Sequence, residues 1–274
     1  MRASSIFDGV RQIDVEIAGQ PAKLPAFYRD AVEMTAIFPA HFRALRRLLP
    51  DQRLEPASLA PGLGVVAVSC LEYRDTDLGP YNEVAIAIPL NEPAFRPNLP
   101  GRALWEAMRR AQMHSFILHL PVTTEIALRG GIDLFNYPKF LAGIDFEESA
   151  ADRRCRLTEG GTPIFALTGP RLASGRRERL QHFCHLWMDG QPQQAEFALE
   201  RLQVGTSLRP GAAVLELGDS HPIARELDRV LVSNRSLRYD HAPRVEASLH
   251  GPEHLTPALL RHLMAVTAPP AVMH

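Results

Sequence analysis

Asp77-Leu78-Gly79-Pro80-Tyr81-Asn82-Glu83-Val84-Ala85-Ile86-Ala87-Ile88 is a turn running into a strand. Glycine and proline at residues 79 and 80 break the chain, and the residues after them alternate with a period of two. That period puts Val84, Ile86 and Ile88 on one face and Glu83, Ala85 and Ala87 on the other. The first face suits a packed layer. The second sets a carboxylate beside two small side chains and leaves room above the strand, as a ligand cavity requires. Taken alone, the same residues also fit a glutamate facing solvent at a strand start.

Outward from this segment, short stretches with strand character recur at close spacing: Ile13–Ile17, Val32–Phe38, Val65–Glu72, Val84–Leu90, Phe116–Val122, Ile126–Arg129, Phe140–Phe146, Ile164–Thr168, His182–Met188 and Val245–Leu249. Turns such as Pro61-Gly62, Gly130-Gly131 and Gly160-Gly161 separate them. Helical periodicity is confined to His41–Leu49, Ala103–Met113, Ile223–Val232 and Pro257–Val266, the third with Asp219-Ser220 as possible caps and Pro222 near its first turn. Gln194–Val204 fits either strand or helix. Strands and helices do not alternate, which disfavours a doubly wound sheet. The expected class is α+β, mainly β: a curved antiparallel sheet closing into a barrel, with a few peripheral helices. No repeat or linker divides the chain, so residues 1–251 read as one domain and 252–274 as a helical C-terminal extension.

Composition narrows the function classes. The chain has 274 residues, 46 % hydrophobic and 22 % charged, with a net charge of −1. Interspersed charges of both signs give no basic field for nucleic acid and no basic amphipathic stretch for a membrane surface. The first residues reach Asp8 and Arg11 before an apolar leader can form, and no run of about eighteen apolar residues appears, so a cytoplasmic location is expected. Cys70, Cys155 and Cys184 each lie in an apolar strand-like segment, as reduced core thiols do. No dinucleotide fingerprint, phosphate-binding loop, His-Glu-x-x-His helix or Gly-x-Ser-x-Gly elbow is present. His182 and His185 flank Cys184, but on a strand they face opposite sides, a poor arrangement for a metal; no metal or cofactor is expected.

Lysine usage is the sharpest chemical signal. Two lysines, Lys23 and Lys139, stand against 28 arginines, and Lys139 sits inside Phe135-Asn136-Tyr137-Pro138-Lys139-Phe140-Leu141. A guanidinium stays protonated, whereas an amine made neutral attacks a carbonyl carbon and forms a Schiff base. An ordinary lysine, with a pKa of about 10.4, is neutral at pH 7 in roughly one molecule in 2,500. Apolar neighbours are what would disfavour the ammonium, and Phe135, Tyr137, Phe140 and Leu141 are candidates. The bland reading is a lysine at a strand end whose stem lies on apolar surface while its head reaches water.

Together the two segments resemble the acetoacetate decarboxylase superfamily. The resemblance rests on Gly79-x-Tyr81-x-Glu83, Gly131 and Tyr137-Pro138-Lys139, with further similarity at Phe42–Pro50 and His221-Pro222, and spans roughly residues 30 to 250. It implies a cone-shaped antiparallel barrel, usually oligomeric, that holds the lysine in an apolar interior. Lys139 would form the Schiff base, Glu83 would line the same pocket, and Tyr81 and Tyr137 would shape it. Activation of this lysine by desolvation or a neighbouring cation is already established for the family. The family's substrate-contacting arginine falls near residues 29–31, where Arg29 fits. Two positions depart from the pattern. The residue after the nucleophile, a second lysine in decarboxylases, is Phe140 here. A second pocket glutamate falls near Ala67 or Val68, with Glu72 the closest acid. The implied activity is decarboxylation of a small β-keto acid in a homo-oligomer without a cofactor. The alternatives are an aldolase or dehydratase on a 2-oxo acid, and a non-catalytic barrel for a small apolar ligand.

Overall fold

β-Branched and small apolar residues alternate here over runs much longer than an average strand, and such runs close a sheet on itself. The computed structural model describes residues 5–92, 97–172, 175–188 and 191–251. In chain order its elements are β1 (Ile13–Ile17), β2 (Gln20–Leu24), β3 (Ala26–His41), α1 (Phe42–Leu48), β4 (Ser58–Ala60), β5 (Leu63–Thr76), β6 (Tyr81–Pro89), α2 (Arg102–Arg110), β7 (Gln112–His119) and α3 (Glu125–Phe135). After α3 come β8 (Gly143–Glu148), β9 (Asp152–Glu159), β10 (Thr162–Pro170), β11 (Arg176–Met188), β12 (Gln191–Ser207), β13 (Val214–Leu217), α4 (Pro222–Val230) and β14 (Arg238–His250).

Seven strands form a ring in the order β3-β14-β12-β11-β7-β6-β5, and β5 pairs back onto β3 from Tyr28↔Thr76 to His41↔Leu63. The chain is thus a mainly β protein built on a closed barrel, with β4 added beside β5. One seam departs from the expected antiparallel pattern: β7 and β11 run parallel, with Cys184 opposite Ser115. A second, antiparallel sheet of order β13-β10-β9-β8 packs against the barrel, and β1 and β2 form a hairpin.

The pleat divides the barrel strands into two faces. Phe38, Val66, Val68, Val84, Ile86 and Ile88 point outward into the main core, where Ile144, Leu157, Ile164 and Leu215 of the second sheet meet them with Leu45 of α1 and Leu227 of α4. Val84, Ile86 and Ile88 are each fully buried. Each contributes about 1.5–3 kcal/mol of hydrophobic free energy. Arg153, almost fully buried, joins the layers by pairing with Glu72 and Glu148 over the ring of Phe146. Glu72 therefore belongs to the inter-sheet layer and does not replace the second pocket acid.

Local expectations fail where glycine and proline mislead. Ile126–Arg129 is the first part of α3, not a strand, and Gly130-Gly131 continue that helix rather than turn it. They are tolerated because close packing needs them: a Cβ on Gly130 would lie 3.2 Å from Ile17 of the hairpin. The strand expected at Phe116–Val122 ends at His119, and the one expected at Phe140–Phe146 begins only at Gly143. Gln194–Val204 resolves as part of β12. The helix of Ile223–Val232 is capped by the ring of His221, which accepts from the Ile223 N–H at 3.2 Å, and not by Asp219 or Ser220. The expected helix at Pro257–Val266 and the whole 252–274 extension lie outside the described residues.

Three histidines straddle the parallel seam. Ser115 Oγ and His182 Nε2 are 2.6 Å apart on the inner side, and His114 Nδ1 and His185 Nε2 are 3.0 Å apart on the outer. Burial pushes His182 down to about 4, against the opposing charge of Glu33, and burial with neighbouring His114 pushes His185 down to about 4. From the ordinary value of 6.5 down to about 4, the unfolded chain binds more protons than the folded one. Stability is therefore fully present above about pH 6.5 and declines as pH falls toward 4. We expect the urea midpoint to fall across that window, and His182→Gln to make the decline shallower.

Candidate active site

Lys139 is positioned by the way the chain leaves α3. Asn136 takes a left-handed conformation (φ 51°) and ends the helix, its N–H returning to Ile132 O at 2.9 Å. Asparagine tolerates that conformation better than most residues. Pro138 then biases Tyr137 toward extended backbone. Pro138 O accepts from Leu120 N–H at 3.1 Å, and Phe140 O from Val122 N–H at 3.0 Å, which zips the segment onto the stretch after β7. Val122 is also bridged to Glu83 at the start of β6. Sequence-distant residues 83 and 139 are thus joined through a common backbone neighbour.

The amine donates to the carboxylate. Lys139 Nζ lies 2.7 Å from Glu83 Oε2, with side-chain exposures of 6 % and 11 %. Tyr73 OH donates to Glu83 Oε1 at 3.4 Å, and the amine stands 5.9 Å from the Tyr81 ring centroid. Tyr28, Tyr73 and Tyr81 form a stack with ring separations of 4.5 and 4.8 Å, and Tyr81 OH donates to Tyr28 OH at 3.3 Å. Burial first, and then the charge of Glu83, push all three phenols up, so each remains a protonated donor. The lysine stem crosses bare backbone: a Cβ on Gly131 would sit 2.3 Å from Lys139 Cδ and Cε.

All seven ring strands contribute to a cavity of about 110 Å³ inside the barrel. A dry cavity of ~150 Å³ holds benzene, so this space suits a molecule of a few heavy atoms. Ala67, Ala85 and Ala87 leave that space open, while Lys139, Glu83, Tyr73 and Tyr137 stand together on its wall. Burial pushes the Cys184 thiol up to about 11, so this lining residue is a poor nucleophile.

The other expected pocket residues are distributed differently. Phe135 stacks on Tyr137 (5.3 Å, 12°) and packs between the hairpin, α3 and the barrel, where it borders a small space beside Lys139 and not the main cavity. Phe140 is a correction: it alternates to the face opposite Lys139 and packs against the main core, so it does not border the amine. Arg29 is another. It lies where the register shifts between Tyr28 and Asp30, is partly exposed, and spends its guanidinium on Asp77 at 2.6 Å. Tyr81 supports the amine from its ring face but does not line the cavity.

A second polar group in the cavity escaped the sequence reading. Glu33 and Arg201, both buried, pair bidentately at 2.6 and 2.8 Å, and Thr35, Ser69, Ser115 and His182 line the same space. Glu33, Thr35 and Ile37 alternate on the inner face of β3, a signal present in the sequence once that face is known to be inside. Arg201 lay in the segment whose type was ambiguous. Among the described residues, no group of three His, Cys, Asp or Glu side chains is placed to hold a metal ion, and no helix is long and apolar enough to cross a membrane.

The family model described as acetoacetate decarboxylase (ADC) matches residues 17–245. The chain has no match among curated proteins. Among solved structures, an acetoacetate decarboxylase aligns with a TM-score of 0.58 at 16 % identity, covering 83 % of this chain and 87 % of that one. The acetoacetate decarboxylase of Legionella pneumophila gives 0.57 at 15 %, covering 83 % and 86 %. The enduracididine biosynthesis enzyme MppR in complex with pyruvate gives 0.56 at 13 %, covering 83 % and 88 %. At such identities these structures speak for the fold. The family model spans most of the chain, and by that match the chain belongs to the acetoacetate decarboxylase family.

Proposed function

We propose that this chain is a carbon–carbon lyase that decarboxylates a small β-keto acid through a Schiff base on Lys139. The observation that carries the reading is the buried 2.7 Å contact between the Lys139 amine and the Glu83 carboxylate on the wall of a small cavity. Glu83 takes a proton from the amine, which frees the nitrogen lone pair to attack the ketone carbon. A proton passes from the attacking nitrogen to the alkoxide to give the carbinolamine; the same carboxyl then returns its proton to that hydroxyl, which leaves as water and gives a protonated imine. The bond to the carboxylate carbon then breaks, CO2 departs, and its bonding pair flows to the imine nitrogen to leave an enamine. A proton added at the enamine carbon and hydrolysis by water release the shortened ketone and restore Lys139. Tyr73 keeps its proton and donates it to Glu83, Tyr81 turns its ring face to the amine, and Tyr137 stays neutral on the cavity wall. A homo-oligomer that works without a cofactor is what the family resemblance implies, and a cytoplasmic location completes the reading.

One observation favours a second reading within the same chemistry. MppR, which shares the fold, is also known in complex with the condensation product of pyruvate and imidazole 4-carboxaldehyde (TM-score 0.52, 14 % identity). An aldolase or dehydratase on a 2-oxo acid would use the imine without losing CO2. Borohydride trapping with acetoacetate and with pyruvate, read by mass spectrometry, tests the shared step, and CO2 release separates the two reactions. The adduct should fall on the Lys139 peptide and not on that of Lys23, and Lys139→Arg should abolish it. Absence of any adduct with either acid would leave a non-catalytic binding barrel.

The geometry sets two further outcomes. In Gly131→Ala the nearest neighbours of the new methyl are Cδ and Cε of the flexible lysine stem, so the fold should persist while the stem shifts. The displaced amine should trap substrate at least tenfold more slowly, since misplacement by about 1 Å costs up to ~10²-fold. Glu83→Gln keeps the shape and removes the proton-transfer group, and turnover should drop by roughly 10²-fold while imine trapping remains detectable. Turnover at the parental rate would show that the carboxylate takes no part.

A further inference from the structure

Hydrogen-bond direction in the second polar group can be fixed by counting protons. Arg201 Nε and Nη2 donate to Glu33 at 2.8 and 2.6 Å, and Nη1 donates to Glu178 at 2.9 Å with Asp240 at 3.7 Å. All three guanidinium nitrogens are thus engaged, and Arg201 is the one arginine among the described residues that lines the cavity. Glu33, held by this bidentate guanidinium, only accepts. The single Thr35 hydroxyl proton therefore goes to Glu33 Oε1, 2.6 Å away. Thr35 and Ser69 hydroxyls are 2.8 Å apart, and with the Thr35 proton spent, Ser69 must be the donor of that bond. Its only proton is then committed as well, so what Ser69 offers the cavity is lone pairs.

Ser69 also stands at a defined place relative to Glu83, the partner of the amine. It pairs with Ala85, two residues along the same inner face from Glu83. From the strand rise of about 3.4 Å per residue and the inter-strand spacing of about 4.8 Å, the Cα atoms of Ser69 and Glu83 are about 8 Å apart. Between them on the inner face lie Ala85 of β6 and Leu71 of β5, and the small Ala85 side chain leaves room for a ligand chain.

We propose that Ser69 is a specificity-determining residue, oriented by Thr35 and Glu33 to accept a hydrogen bond from a hydroxyl or amino group about three bonds from the substrate carbonyl carbon. This inference rests on the Schiff-base reading of Lys139. It names the preferred substrate class as keto acids with a neutral donor on the chain remote from the carboxylate. Keto diacids are disfavoured, because a second carboxylate at that wall meets the Ser69 lone pairs and the Glu33 carboxylate, and the Arg201 guanidinium is already paired with Glu33 and Glu178.

The test compares three five-carbon β-keto acids that differ only at the remote end: 3-oxopentanoate (methyl), its 5-hydroxy derivative, and 3-oxopentanedioate (carboxylate). Borohydride trapping on Lys139 is measured as a rate at subsaturating acid. The full chain should trap the hydroxy acid about five- to tenfold faster than the methyl acid, the scale of one net hydrogen bond, and the diacid slowest. Ser69→Ala should bring the hydroxy-to-methyl ratio close to one. Thr35→Val releases the Ser69 proton for donation and should raise the diacid rate relative to the hydroxy acid, whereas Thr35→Ser should keep the parental order. Equal rates for all three acids in the parent chain, or a ratio unmoved by Ser69→Ala, would overturn the inference and leave the Schiff-base reading standing. No adduct with any of the acids would remove both.

Discussion

The pleat of a strand, with its two-residue period, sets the layout of this molecule. Strands β3, β5 and β6 each serve a dry layer on one side and the cavity on the other, and a shift of one residue would exchange them. On β6 this places Val84, Ile86 and Ile88 against the second sheet while Glu83, Ala85 and Ala87 look inward. The same rule fixes the neighbours: Met34, Ala36 and Phe38 outward on β3 with Glu33 and Thr35 inward, and Val66 and Val68 outward on β5 with Ala67 and Ser69 inward. The burial that stabilises the outer face thereby holds the inner one in place.

That division explains what was legible in the sequence. The strand at β6, the glutamate on its small-residue face and the solitary lysine in an apolar run all report local facts, and local facts survive folding. Arg29 and Phe140 were assigned to the pocket by their position in the chain, but a residue's face is set by bulges and bridges that form only in three dimensions. A register shift turned Arg29 toward Asp77, and strict alternation turned Phe140 away from its neighbour's amine. Arg201 and Glu33 are 168 residues apart, and their pairing is created by the ring closing through β12, β14 and β3. The parallel seam between β7 and β11 was likewise invisible, because it depends on where the second sheet sends the chain back.

Buried charge is handled by neutralisation at close range. Lys139 has Glu83, Arg201 has Glu33 with Glu178 and Asp240 nearby, and Arg153 has Glu72 and Glu148. An isolated charge in such surroundings costs several kcal/mol, and direct pairing offsets most of it. The three sites nonetheless differ in use. Arg153 joins two sheets, and Arg201 organises one wall of the cavity. Lys139 is the one whose single partner leaves the rest of its head facing open space.

Helix α3 shows what the close approach of the lysine stem demands. Two adjacent glycines in a helix of eleven residues sacrifice about 1 kcal/mol each relative to alanine, so this helix is intrinsically weak. What stabilises it is contact: Ile17 of the hairpin against Gly130, and the Lys139 side chain against Gly131. Neither contact exists until the N-terminal hairpin has docked and the segment after Pro138 has zipped alongside Val122. The Lys139 amine and the helix that shelters it therefore depend on one another during folding, and the cavity wall they build is complete only in a chain that has closed its barrel.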